Sequence, residues 1–255
     1  MPIIAVIART VLLESLRTRF WPIYGLLLLA CLAAATFMGQ LAIADVERIR
    51  IITLAAFSRP LLASLIILHI AAAITRETQE KGLDMILAAG LPAPSLIIGR
   101  LIGYSLLTVM MAAGTGLVLL TLGAKVQLIN WTIGLACELS ILAAFTLAVS
   151  IVLHQVASSA LAAAFFYLLG HSLGAILLLA RHPMANYSSH AESATQLPIE
   201  SIAWLMPRFD LFGSADWLVG LRTGQLTPVF IQTVIYLLLL FAIATVDLKR
   251  NREPT

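Results

Sequence analysis

A chain of 255 residues that is 60% hydrophobic and only 11% charged, with a mean hydropathy of +0.98, has too little polar surface to clothe a soluble globule of its size. The formal charge of +3 does not indicate nucleic acid, because most cationic residues lie beside apolar segments, where bases anchor helix ends to headgroups. Cys31 and Cys137 lie inside apolar runs without CxxC or histidine-paired spacing, which excludes a disulfide framework and a zinc site.

Residues 1–19 read as an amphipathic helix. Ile4, Ile7, Ala8, Val11 and Leu12 share one side, Thr10, Glu14, Arg17 and Thr18 gather on another, and Pro2 suits the first turn. Such an Arg-bearing helix directly before a span is expected to lie in the membrane plane. The first apolar run, residues 20–43, exceeds a signal-peptide core in length, lacks a distinct cleavage pattern and is expected to be retained.

Crossing about 30 Å of hydrocarbon takes about 20 apolar residues, and five stretches meet that standard: 20–43, 97–122, 131–153, 157–180 and 229–246. A sixth is interrupted by Ser58-Arg59-Pro60; the span is placed at 60–75, with Arg59 snorkelling to the interface. Asp45 to Phe57 then either lies along the interface or extends that helix outward. Arg9, Arg17, Arg19, Arg76, Lys81, Arg100, Lys249, Arg250 and Arg252 fall on one side, against Arg48, Arg50, Arg59 and Lys125 on the other. The positive-inside rule makes the first group cytoplasmic, together with both termini.

The 76–96 loop is a polar island. Leu83, Ile86 and Leu87 follow Gly82 at helical spacing until Pro92 and Pro94 end the run, so a short amphipathic helix is expected here. Residues 181–228 mix polar stretches with apolar pieces too short to cross, and read either as re-entrant backbone or as a small extracytoplasmic loop. Tyr187, Trp204 and Trp217 suit an outer interfacial belt. Glu138 is the one carboxylate well inside a clear span, about 10 Å below Trp131, and His171 falls about 14 Å from the outer end of the next span. The two are close enough in depth to meet, either as a functional contact in the outer half of a path or as glue between helices.

At the 76–96 loop the sequence resembles the membrane subunits of type-2 ABC exporters. Their first cytoplasmic loop runs Glu, Gly-Thr, Leu-Leu and Pro, then Gly-Lys at the opening of the next span. Glu77, Glu80, Gly82, Leu83, Leu87, Pro92, Gly99 and Arg100 keep that order, with Leu83 in place of Thr and Arg100 in place of Lys. The in-plane first helix, the six spans and Met206-Pro207-Arg208-Phe209-Asp210-Leu211-Phe212 before the last span extend the likeness along the chain. The resemblance implies an all-α fold of six transmembrane helices after an in-plane helix, with short re-entrant helices before the last span. It implies a permease that is not itself an enzyme and works as a dimer with a second copy of itself or a related permease.

Each permease would sit in a bacterial cytoplasmic membrane on an ABC ATPase subunit that binds ATP and Mg. Glu77 and Glu80 would meet basic residues of that ATPase, with Leu83, Ile86 and Leu87 in its groove; an extracytoplasmic accessory protein is compatible with this layout. The chain has no GxxxxGK[ST] loop and needs no cofactor of its own. Two other classes compete: an ion-coupled secondary transporter, which calls for ionisable residues near the midplane, and a membrane-embedded enzyme, which calls for clustered reactive groups. No HExxH, HxxEH or GxSxG occurs.

Overall fold

The computed structural model describes residues 3–80, 92–124, 127–181, 206–220 and 225–250. Among them every regular element is helical: α1 (Ile3–Arg17), α2 (Phe20–Leu41), α3 (Val46–Gln79), α4 (Ala93–Thr121), α5 (Leu128–Leu153), α6 (Val156–Arg181), a 3-10 turn (Phe209–Leu211), α7 (Ala215–Leu218) and α8 (Leu226–Arg250). α2, α3, α4, α5, α6 and α8 are long and apolar enough to cross a membrane, which marks the chain as a multi-pass helical membrane protein.

α5 is the central helix. It packs against α3, α4, α6, α7 and α8, and its buried residues run around the whole circumference, from Trp131 to Ile151. A helix apolar all round is what a position inside a bundle selects. α2 leans on α3, α6 fills the angle between α3 and α5, and α8 closes against α4 and α5. The outer helices turn large side chains away from protein, among them Leu26 and Leu29 on α2, Phe165 on α6 and Leu238 on α8. Exposure of that kind suits lipid rather than water.

Helices in lipid gain little from hydrophobic burial against one another, so close approach and hydrogen bonds carry the packing. Tyr24 Oη donates to the Met111 carbonyl at 2.7 Å, and the missing side chain of Gly114 makes room for its ring. Thr108 and Ser140 hydroxyls pair at 2.9 Å between α4 and α5. The small residues at 112–116 thus serve as contact points, since Gly116 likewise receives Thr132.

α3, which carries the sixth span, is one helix of 34 residues, about 51 Å long, and runs through Pro60. Of the two alternatives for Asp45 to Phe57, helix extension holds from Val46 onward. Pro60 withholds the N–H that would reach the Ala56 carbonyl; beside it Ser58 donates to the Ala55 carbonyl at 3.2 Å and Ser64 to the Pro60 carbonyl at 2.8 Å. Bilayer-length helices absorb proline when neighbouring helices support them, and α3 packs against α2, α5 and α6. The other spans reproduce the expected ones with shifts of a few residues, and α5 turns into α6 through His154 and Gln155 alone.

α1 packs across the foot of α4. Gly99 and Gly103 lie one helical turn apart, and a Cβ at either would strike α1: Ile7 Cβ at 2.7 Å from Gly99, Val11 Cβ at 2.8 Å from Gly103. Ala8, Val11 and Ser15 are buried there. The side expected to be apolar is the side that seats α1, while Val6, Leu13 and Leu16 remain exposed.

Candidate functional site

Two polar constellations stand out in this apolar bundle, one at each end. We term the end where residues 81–91 join α3 to α4 the loop end, and the opposite end the far end.

At the far end the central residue is Arg59 of α3. Its Nε donates to Glu138 Oε2 at 3.1 Å, its Nη2 bonds the same oxygen, and its Nη1 donates to the Gly213 carbonyl at 2.6 Å. The two side chains are 11% and 1% exposed, so this is a buried ion pair. Removing two charges from water costs several kcal/mol per ion, recovered only with good geometry and further hydrogen bonds. Arg59 meets that condition with three donors engaged. It does not snorkel, as its sequence position before Pro60 implied.

The Arg59 bond to Gly213 reaches a segment that folds back on the bundle. Met206 to Gly220 carries the 3-10 turn and α7, and Phe209, Phe212, Trp217 and Leu218 are buried. Glycines of the host helices allow the close fit: a Cβ at Gly134 would overlap the Phe212 carbonyl, and one at Gly174 would lie 2.5 Å from Asp210 Oδ2. Gly213 has φ +138°, backbone that disfavours a side chain. Asp210 pairs with Arg208 at 2.9 Å. Trp217 is 6% exposed and therefore packs on protein rather than at a headgroup belt. Trp204 and Tyr187 lie outside the described residues.

His171 of α6 is beside this cluster, as the depth count implied, with Nδ1 3.8 Å from Glu138 Oε1. That spacing is an electrostatic contact rather than a hydrogen bond. The principal partner of Glu138 is Arg59, which sequence reading missed. The signal was present: if the apolar run continues through Pro60, Arg59 falls inside the helix and requires a counter-charge. Glu138 and His171 offer two metal-ligating groups, and no set of three gathers among the described residues.

At the loop end, Glu77 of α3 pairs with Arg100 of α4, whose side chain is 6% exposed. Arg76 pairs with Glu80 at 3.0 Å in the open, one helical turn apart. Glu77 and Glu80, expected to face basic residues of another protein, are thus engaged within the chain; Glu77 is 31% and Glu80 64% exposed at the side chain. Pro92 is exposed and leads into α4, with Ser95 N–H donating to its carbonyl at 3.0 Å. Gly82, Leu83, Ile86 and Leu87 lie outside the described residues. Between α1, α3 and α4 opens a cleft of about 490 Å³, lined by Glu14, Glu77, Glu80, Arg76, Arg100 and Tyr104 among others.

The ion pair between Glu77 and Arg100 ties together the two helix ends that flank residues 81–91. Through Gly99 and Gly103, α1 is seated on the same helix as Arg100. Comparison with protein-family models gives no match to this chain, and comparison with curated proteins finds no relative.

Proposed function

We propose that this chain is the membrane-spanning subunit of an ATP-driven exporter of the type-2 ABC kind, coupled through residues 76–96 to a separate ATPase that binds ATP and Mg. The observation that carries the reading is the stem of the loop, where Glu77 holds Arg100 and α1 rests on Gly99 and Gly103. A push on residues 81–91 would reach two full-length helices and the α1 helix together, rather than dissipate in a slack connection. α4 delivers that movement to the central α5, against which it packs. Two such chains would enclose the path, with the loop end and both termini in the cytoplasm of a bacterium and the 206–220 segment re-entering from outside. One observation favours a second reading, an ion-coupled transporter: the buried Arg59 and Glu138 and the half-buried His171 supply ionisable groups within the spans.

Mild-detergent purification of the tagged chain from its native host separates the two. An ABC ATPase recovered in about equal amount, and lost when Glu80→Lys is combined with Leu87→Asp, supports the exporter. A homo-oligomer without ATPase refutes it.

A further inference from the structure

The cleft at the loop end is walled by α1, α3 and α4, and its volume of about 490 Å³ lies in the range, about 300–1,000 Å³, of pockets that hold small organic groups. Its lining is divided by chemistry. Val11 and Leu96 give it an apolar side, and three carboxylates with two guanidinium groups give it a charged one. Val6, at its edge, is 47% exposed, apolar surface of the kind that lipid rather than water covers.

Two groups in this cleft lack partners. Arg100 is taken by Glu77 and Arg76 by Glu80, which leaves the third carboxylate, Glu14, without an ion pair among the described residues. The other group is the hydroxyl of Tyr104, which has no hydrogen-bond partner among the described residues although the residue is only 3% exposed. Buried hydroxyls are ordinarily bonded. Tyr104 lines the cleft and stands within electrostatic reach of Glu14, Glu77 and Arg100, so its free hydroxyl and the unmatched carboxylate address the same space. Arg17, on the same side of α1 as Glu14 and nearly one turn on, is exposed, forms no ion pair among the described residues and does not line the cleft.

An unpaired acid inside and an unpaired base outside fit a ligand that carries both charges a short distance apart. The geometry points to a site for a phospholipid whose head joins a primary ammonium to a phosphate, as in phosphatidylethanolamine. The ammonium enters the cleft, where Glu14 meets its charge and Tyr104 Oη accepts one of its three N–H bonds. The phosphate stays at the rim on Arg17, and the acyl chains leave past Val6. A trimethylammonium head has the same charge but no N–H to give, so the site should separate the two head groups. The proposal is independent of how the chain is powered.

Native mass spectrometry of the full chain, stripped of lipid in detergent, tests it with phosphatidylethanolamine, phosphatidylcholine and phosphatidylglycerol of identical acyl chains. Phosphatidylethanolamine should bind about tenfold more tightly than phosphatidylcholine, as expected when charge-assisted hydrogen bonds have no counterpart. Glu14→Gln and Tyr104→Phe should each cut that ratio to about threefold or less, while Arg17→Gln should weaken both lipids alike. Glu14 is exposed, so its substitution leaves the bundle intact even where Tyr104→Phe disturbs packing. Equal binding of the two zwitterionic lipids, tightest binding of phosphatidylglycerol, or a preference that survives Glu14→Gln overturns the proposal.

Discussion

Replacing Arg59 with methionine leaves Glu138 at 1% exposure with its counter-charge gone. Breaking a buried pair from one side costs about 3–5 kcal/mol, because the remaining charge is stranded. The Gly213 carbonyl loses its charged donor as well, worth about 1.5–3 kcal/mol. These contributions overlap, since both follow from the loss of one guanidinium, so about 3–5 kcal/mol is the expected total. Unfolding by sodium dodecyl sulfate in mixed micelles measures it, with Glu138→Met and the double variant completing a cycle. Each single variant should be markedly destabilised, and the double variant should recover most of the loss, since two apolar side chains leave no charge uncompensated. Arg59→Met within about 0.5 kcal/mol of the parent, or a double variant no better than either single one, would refute the buried pair.

Arg76→Ala should leave the same unfolding midpoint unmoved, because its pair with Glu80 stands in the open. Gly103→Ala should cost stability despite the helix propensity gained, since the new methyl meets Val11 at 2.8 Å, whereas Gly25→Ala, where nothing lies within 4 Å, should be neutral or stabilising. Tyr24→Phe should cost about 1 kcal/mol in the same titration through the lost bond to the Met111 carbonyl. An impermeant thiol reagent on intact cells should label Ile43→Cys directly, and Gln155→Cys only after permeabilisation; the reverse pattern would invert the proposed orientation.

Composition and hydropathy alone determine that the chain lives in a bilayer as a bundle of about six helices, because backbone in lipid must satisfy its own hydrogen bonds and a span needs a fixed length of apolar residues. The amphipathic face of α1 and the shared depth of Glu138 and His171 are equally local, readable from helical periodicity and rise. Pro60 marks a span start only by a local rule, its missing N–H, which leaves open whether the residues before it extend the helix; the packed neighbours of α3 accompany a helix that continues through it.

Only the tertiary structure decided that Arg59 turns inward to Glu138, 79 residues away, and that one of its arms captures the carbonyl of Gly213. It alone decided that Glu77 closes on Arg100 across the loop. Periodicity says which face of a helix is polar, but not which polar face on another helix will meet it. That choice belongs to the packing of the bundle, where a buried charge settles only beside the partner that the surrounding helices bring to it.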